Sequence, residues 1–462
     1  MIRSVLIANR GEIACRVIRA CRALGIASIA VYSEADRDAL HRQLADRAVA
    51  IGPAPAAQSY LDSAKVLEAA LAHGADAVHP GYGFLSENAD FAAATRAAGL
   101  AWIGPDPASM TAMGDKARAR QMAVESGVPV LPGSDRLPAG RPDAWRDAAQ
   151  AVGYPLLVKA VGGGGGIGMR RVDEASALQA TVESAQAVAA RAFKHAEVYL
   201  ERFVARARHV EIQVFGDGRG DAVHLFEREC SAQRRFQKIV EESPAPGLRP
   251  EVLERMAQAA LALARRQRYA GAGTVEFIMD AQTQDFFFLE MNTRIQVEHA
   301  VTEAVTGWDL VQQQILLAGG SATPVAQADI RRAGAAIECR VYAENPAKQF
   351  LPSPGRLERF RMPAEGVGLR IDCGVREGDV VTPFYDPMIA KLITHGATRG
   401  DALAAMQAAL AQVEIAGVRN NVAFLQALLA HPDVVRGEID TGFVDRHRAE
   451  LLASMATEAK QA

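Results

Sequence analysis

Short apolar runs alternate with helical periodicity over the first hundred residues. Residues 3–8 read as a buried strand, and from Gly11 to Leu24 the apolar positions Ile13, Val17, Ile18 and Cys21 recur at the helical period. The run 27–33 returns to strand character. The order strand, helix, strand predicts a parallel sheet in an open α/β layer. A helix near 61–73 and short strands at 76–80 and 100–105 continue the layer, and 106–127 reads as helical. The Pro- and Gly-rich stretch 128–142 then reads as a connector.

A small α/β segment follows from about 131 to 203, with strand 156-LLVKA-160 leading into the glycines Gly162 to Gly166. Glycine in an element interior costs roughly 0.5–1 kcal/mol relative to alanine, so such a run needs a reason. Beyond it come strands at 210–217, 273–280 and 285–292 and a helix near 250–268. Strand-like and helical segments then alternate to about 449, and the Ala- and Glu-rich tail 450–462 is expected to fray. The chain shows no internal repeat. Its first layer lacks GxGxxG, which weakens a nicotinamide reading, and the absence of GxxxxGK[ST] excludes a P-loop.

Four constellations suggest chemistry. Bare glycine amides can converge on an anion, and Lys159, at the end of its strand, points a cation toward what the loop covers. Lys116 in 113-MGDKARAR-120 is a second cation. Glu276 and Glu290 sit among Val, Phe, Ile, Leu and Met on strands split by 281-AQTQ-284. A buried carboxylate needs a partner. Paired across a hairpin, these two can share Mg²⁺ or Mn²⁺, with Asn292 as a further ligand. In 292-NTRIQVEH-299, Arg294, Gln296 and Glu298 alternate, so an extended segment points all three one way. That supplies a cation, an amide and a base for a small anion. The stretch 228–246 carries Arg228, Arg234, Arg235 and Lys238 with Glu241 and Glu242. It reads either as an anion site or as a solvated charged face.

Composition narrows the setting. A formal net charge of -3 over 462 residues gives no whole-chain basic field for nucleic acid or an anionic membrane. No apolar run approaches the ~20 residues that span a bilayer. Cys15, Cys21, Cys230, Cys339 and Cys373 form no CxxC pair. Unpaired thiols suit a reducing compartment. With no signal or transit segment ahead of the first strand, a cytoplasmic location is expected.

Taken together, 7-IANRGEIACR-16, 79-HPGYGFLSEN-88, 113-MGDK-116, 159-KAVGGGGGIGM-169, 228-RECSAQRRFQK-238, 287-FFLEMNTRIQVEH-299, 338-ECRVYAENP-346 and 385-YDPMIAKL-392 resemble the biotin carboxylase family of the ATP-grasp superfamily. The likeness runs from about residue 2 to 446. It implies a mixed α/β and α+β fold in three regions. The expected boundaries are a Rossmann-like N-terminal domain 1–114, a helical linker 115–130, a mobile lid 131–203, an ATP-grasp central region 204–334, a C-terminal domain 335–446 and a tail 447–462. The glycine run becomes the phosphate-closing loop of the lid.

The resemblance also implies roles. ATP is expected to meet Lys116, Lys159, Gly164, Gly165, Gly166, Met169, Glu201, His209, Gln233 and Ile278, with backbone at Arg202 to Val204 for adenine. Glu276, Glu290 and Asn292 would hold Mg²⁺ or Mn²⁺. Lys238, Arg294, Gln296 and Val297 would bind bicarbonate, with Glu298 as base. Arg340 would steady the biotin enolate, and Tyr82 would place the ureido ring. Arg16 matches a dimer-interface position. The implied activity is carboxylation of biotin through carboxyphosphate, the first half-reaction of an acetyl-CoA or other acyl-CoA carboxylase, as in fatty acid biosynthesis. No Ala-Met-Lys-Met motif is present, so biotin is expected on a separate carrier protein, with a carboxyltransferase completing the reaction.

The chain departs from the family at Ile167, where Arg or Lys is usual, and at Phe236, where His is usual. Ala300 stands where Pro is common, and Val161 precedes the glycines. These differences keep open a nucleotide-binding subunit of weakened activity. Another ATP-grasp carboxylate–amine ligase is the second alternative.

Overall fold

The computed structural model describes residues 2–160, 169–193, 196–322 and 325–458. Gly164, Gly165 and Gly166, with Val161 and Ile167, lie outside the described residues. The first layer is a parallel sheet of β1 (Ser4–Ile7), β2 (Ala27–Tyr32), β3 (Arg47–Ala50), β4 (Ala77–His79) and β5 (Ala101–Trp102), in the order β3-β2-β1-β4-β5. Helix α1 (Gly11–Ala23) buries Ile13, Val17, Ile18 and Cys21 against it, as the periodicity predicts. Glu12 in its first turn and Arg22 in its last complement the helix dipole.

A second, antiparallel sheet has β6 (Leu156–Ala160) between β7 (Arg170–Val172) and β8 (Val198–Arg202). Helices Pro142–Val152 and Leu178–Phe193 close its core around Trp145, Val158, Val182 and Leu200.

The third sheet positions most of the candidate residues. It comprises β9 (Ala207–Asp217), β10 (Ala222–Arg234), β11 (Gln237–Ser243), β12 (Ala270–Asp280), β13 (Phe286–Asn292), β14 (Ala335–Tyr342) and strands Met388–Gly396 and Leu369–Cys373. The hydrogen-bonded order is β13-β12-β9-β10-β11-β14, then Met388–Gly396, then Leu369–Cys373. Its hydrogen-bonding therefore runs unbroken across residues 334 and 335. Nearly all of β9 is buried, yet the two faces differ. Val210, Ile212 and Val214 join the core under helix Pro250–Arg266, while the alternating His209, Glu211 and Gln213 face the other way.

Strand β13 obeys a subtler rule. Glu276 pairs with Glu290, but Phe277 pairs with Phe288, so Leu289 is an extra residue. This bulge reverses the strand's parity. Phe286 and Phe288 enter the helix-side core before it and Met291 after it. Glu290 and Asn292 are thereby turned to the face of Glu276.

Gly374 sets α1 against the same sheet. A Cβ there would stand 2.4 Å from the backbone nitrogen of Glu12, so only glycine admits this approach.

Candidate active site

Lys238 is the hub. It lies on β11, and its Nζ stands 2.6 Å from Glu211, 2.9 Å from Glu276 and 2.6 Å from Glu298. The three acids are buried, and the Lys238 side chain is only 11% exposed. Burial alone would discharge Lys238, but the three acids outweigh it and hold the ammonium well above its ordinary value. Burial would likewise raise Glu298; Lys238, Arg340 and Arg228 overcome this and hold it well below the carboxylate range. Glu276 is depressed in the same way by Lys238 and His209. Glu298 is therefore an ionised, desolvated carboxylate.

Arg228 buttresses this hub from beneath. Fully buried, it donates to Glu211 at 2.6 Å, Gln213 at 2.6 Å, Thr302 at 2.9 Å, Thr274 at 3.1 Å and Gln296 at 2.9 Å. The expected cationic run 228–238 thus divides. Arg228 is internal and ties Glu211, Arg234 pairs with buried Glu344, Arg235 is exposed, and Lys238 meets Glu211, Glu276 and Glu298 together.

The segment after Asn292 is not the extended edge expected from its alternation. Residues 293–298 form a turn, and Glu298 stands at the head of helix His299–Thr306. The three side chains consequently diverge. Arg294 reaches Asn292 at 3.0 Å and Glu87 at 3.1 Å. Gln296 accepts from Arg228 and donates to Glu276 at 2.7 Å. Glu298 meets Lys238 and, at 3.0 Å, Arg340. The Val297 carbonyl accepts from the wholly buried Lys391 at 2.6 Å.

On the nucleotide side, His209 lies 2.9 Å from the Gln233 amide and 3.1 Å from Glu276. Ile278 is the cross-strand partner of His209. Lys159 on β6 pairs with Glu201 on β8, and Met169 immediately precedes β7. Lys116 begins helix Lys116–Glu125 and stands 3.8 Å from Glu290. Tyr82 donates to Glu12, and Arg16 is buried against Glu303 at 2.9 Å and Asp309 at 2.6 Å.

The acids fit a divalent cation. Glu290 is raised by burial and by the facing charge of Glu276, the signature of two carboxylates short of positive charge. Asn292 adds a carbonyl oxygen and donates to Glu276 at 2.9 Å. A donor set of oxygens alone suits Mg²⁺ or Mn²⁺ rather than zinc.

Family models match almost the whole chain. Residues 1–110 match the biotin carboxylase N-terminal domain, 115–325 the ATP-binding domain of the carbamoyl-phosphate synthase L chain, and 338–446 the biotin carboxylase C-terminal domain. The chain belongs to the biotin carboxylase family. It is 47% identical to biotin carboxylase 1 of Bacillus subtilis over 447 residues, covering 97% of this chain and 99% of that one. It is also 47% identical to the mitochondrial methylcrotonoyl-CoA carboxylase subunit alpha of Mus musculus, of which it spans 64% while being matched over its entire own length. The crystal structure of the biotin carboxylase domain dimer of Hydrogenobacter thermophilus 2-oxoglutarate carboxylase, in complex with MgADP, ADP and bicarbonate, superposes with a TM-score of 0.91 at 42% identity. That match covers 98% of this chain and 99% of the other.

Sequence reading missed three residues that the structure brings into contact with this cluster. Glu211 is a buried acid between Val210 and Ile212, the same signal that singled out Glu276. Glu87 and Lys391 lie within the family-like stretches 79–88 and 385–392 but carry no local sign of their contacts.

Proposed function

We propose that this chain carboxylates biotin presented by a separate carrier protein, using ATP and bicarbonate. The observation that carries this reading is Glu298, ionised and enclosed between Lys238 and Arg340. A base so placed removes a proton from an anion that the same two cations attract.

Bicarbonate would lie among Lys238, Arg294, the second amide hydrogen of Gln296 and the Val297 backbone. Glu298 takes its proton, and the oxyanion attacks the γ-phosphorus of ATP to give carboxyphosphate and ADP. Lys116 and Lys159 meet the phosphates, and Met169, Glu201, His209, Gln233 and Ile278 line the nucleotide pocket, with Arg202 to Val204 beside adenine. The glycine loop at Gly164, Gly165 and Gly166 covers the phosphates. A divalent cation at Glu276, Glu290 and Asn292 supplies neutralisation of phosphoryl charge. Carboxyphosphate yields CO₂ and phosphate. Phosphate takes the ureido proton, and Arg340 steadies the resulting anion while Tyr82 orients the ring.

A biotin carrier protein or domain, a carboxyltransferase and a homodimer with Arg16 near its interface complete the proposed assembly. The five unpaired thiols support a reducing compartment such as the cytoplasm. No helix among the described residues is long and apolar enough to cross a membrane.

ADP release with MgATP tests the reading, with bicarbonate and free biotin added singly and together. Strong stimulation by the pair is expected. ATP binding without stimulation, even with a biotinylated carrier supplied, overturns it.

A further inference from the structure

Behind Arg340 lies a second acidic group that the mechanism above does not use. Glu241 on β11 and Glu338 on β14 are direct cross-strand partners, both fully buried. Among the described residues, apart from the contact of Arg340 with Glu241, none of their four carboxylate oxygens has a hydrogen-bond donor. The positive charge around them is already shared. Arg340 Nη2 also donates to Glu298 at 3.0 Å. Lys391, 3.9 Å from Glu338, faces Glu12 at 3.6 Å and Asp372 at 3.8 Å and donates to Val297. Lys238, the remaining nearby cation, is committed to Glu211, Glu276 and Glu298. His299 heads the helix above, held neutral by burial and by Lys391.

Two buried cross-strand carboxylates that have only the Arg340 contact between them are costly; one proton converts one of them into a donor for the other. Burial and the neighbouring acids push in this direction. Glu338 lies well above the carboxylate range despite Lys391, and Glu241 is pushed up to about 7 despite Arg340. Glu298, on the other side of the same guanidinium, is driven the opposite way. Environments that separate like groups this far assign them different protonation roles.

We infer that Glu241 and Glu338 hold one proton between them in the resting protein, and that Glu241 receives the proton Glu298 takes from bicarbonate. The second half rests on the proposed biotin carboxylation. In that reaction the O–H bond of bicarbonate breaks, its electron pair becomes the nucleophile, and the proton sits on Glu298. ATP, bicarbonate and biotin become ADP, phosphate and carboxybiotin with net release of one proton. Glu298 has to be ionised again before the next turnover. Glu298 and Glu241 touch the same nitrogen of Arg340, so their oxygens are no farther apart than about two hydrogen-bond lengths, ~6 Å. One water bridges that distance. The proton passes from Glu298 to Glu241, beside an already neutral Glu338, and leaves to water as products depart. Glu241 thus acts through Glu298 and not on the substrate.

Infrared spectra of the whole chain in mildly alkaline buffer test the shared proton without reference to activity. A protonated-carboxyl band is expected in the wild type and is lost in Glu338→Gln. Absence of the band from the wild type, or its persistence in the variant, overturns the inference. Kinetically, Glu241→Gln is expected to lower kcat about tenfold with the ATP KM unchanged, and to remove a limb near neutrality from the pH–rate profile. Glu338→Gln retains kcat within about twofold because an amide mimics the neutral carboxyl, whereas Glu338→Leu does not. A wild-type pH profile in Glu241→Gln overturns the relay. If a variant fails to fold, the wild-type band still decides the shared proton and the wild-type pH profile the relay: a profile without that limb overturns it. A wild-type chain with no biotin- and bicarbonate-stimulated ADP release refutes the carboxylase reading and the relay together, and the band still decides the shared proton.

Discussion

Glu276 and Glu290 stand directly opposite each other across β12 and β13 because Leu289 is one residue too many for the ladder. Without that extra residue Glu290 would share the face of Phe286 and Phe288. Glu290→Gln keeps the shape and removes one charge. The expected result is an increase in the Mg²⁺ concentration that half-saturates ATP hydrolysis, on the order of tenfold or more. An unchanged Mg²⁺ titration would contradict the assignment of Glu290 as a ligand.

Lys238 holds three buried acids in place, so its loss affects more than the reaction. Lys238→Gln leaves Glu211, Glu276 and Glu298 without their shared cation. Breaking a buried ion pair costs about 3–5 kcal/mol. Urea unfolding should show a loss of that order, together with abolition of bicarbonate-dependent ADP release.

Acids displaced in opposite directions give the folded state a two-sided pH dependence. Glu298 is held below its ordinary value, so its contribution is present at neutral pH and lost as the pH falls below the ordinary carboxylate range, ~4.3. Glu344 is pushed up by burial to about 7 despite Arg234. The folded state thus binds its proton more tightly than the unfolded chain, which favours folding near pH 5. That advantage disappears as the pH rises through about 7. Glu344→Gln should flatten the decline in Tm between about pH 5 and about pH 8. An unaltered slope would exclude Glu344 as its source.

How much of this was legible in the sequence depended on whether the signal was local. The acids Glu276 and Glu290 announced themselves by charge among apolar neighbours, and the hairpin was visible from its turn. The Leu289 bulge was not visible, because parity is fixed by which phenylalanines reach the helix-side core. Alternation at Arg294, Gln296 and Glu298 misled, because the strand ends at Asn292 and the chain bends and turns before helix His299–Thr306. Arg228 and Lys238 looked alike as charges. Only the register of β10 and β11 separates a buried tie from a site cation.

Ile167 and Phe236 stand where the family resemblance leads to the expectation of a cation and a histidine. Ile167→Arg places a cation beside the glycines and should lower the KM for ATP; an unchanged KM would contradict a role for this position in ATP affinity.

Phe236 lies at the tip joining β10 and β11, 66% exposed and at φ 65°, a backbone region that penalises a bulky side chain. Phe236→Asn removes little burial and tolerates that conformation. It should raise stability by up to about 1 kcal/mol in chemical denaturation.

The unbroken sheet from β13 to Leu369–Cys373 has a mechanical consequence. Glu276 on β12 and Arg340 on β14 are separated by a fixed number of strand spacings, about 4.8 Å each. No hinge interrupts the hydrogen-bonded lattice between them. The spacing between Glu276 and Arg340 is therefore set within one sheet and not across a joint between layers.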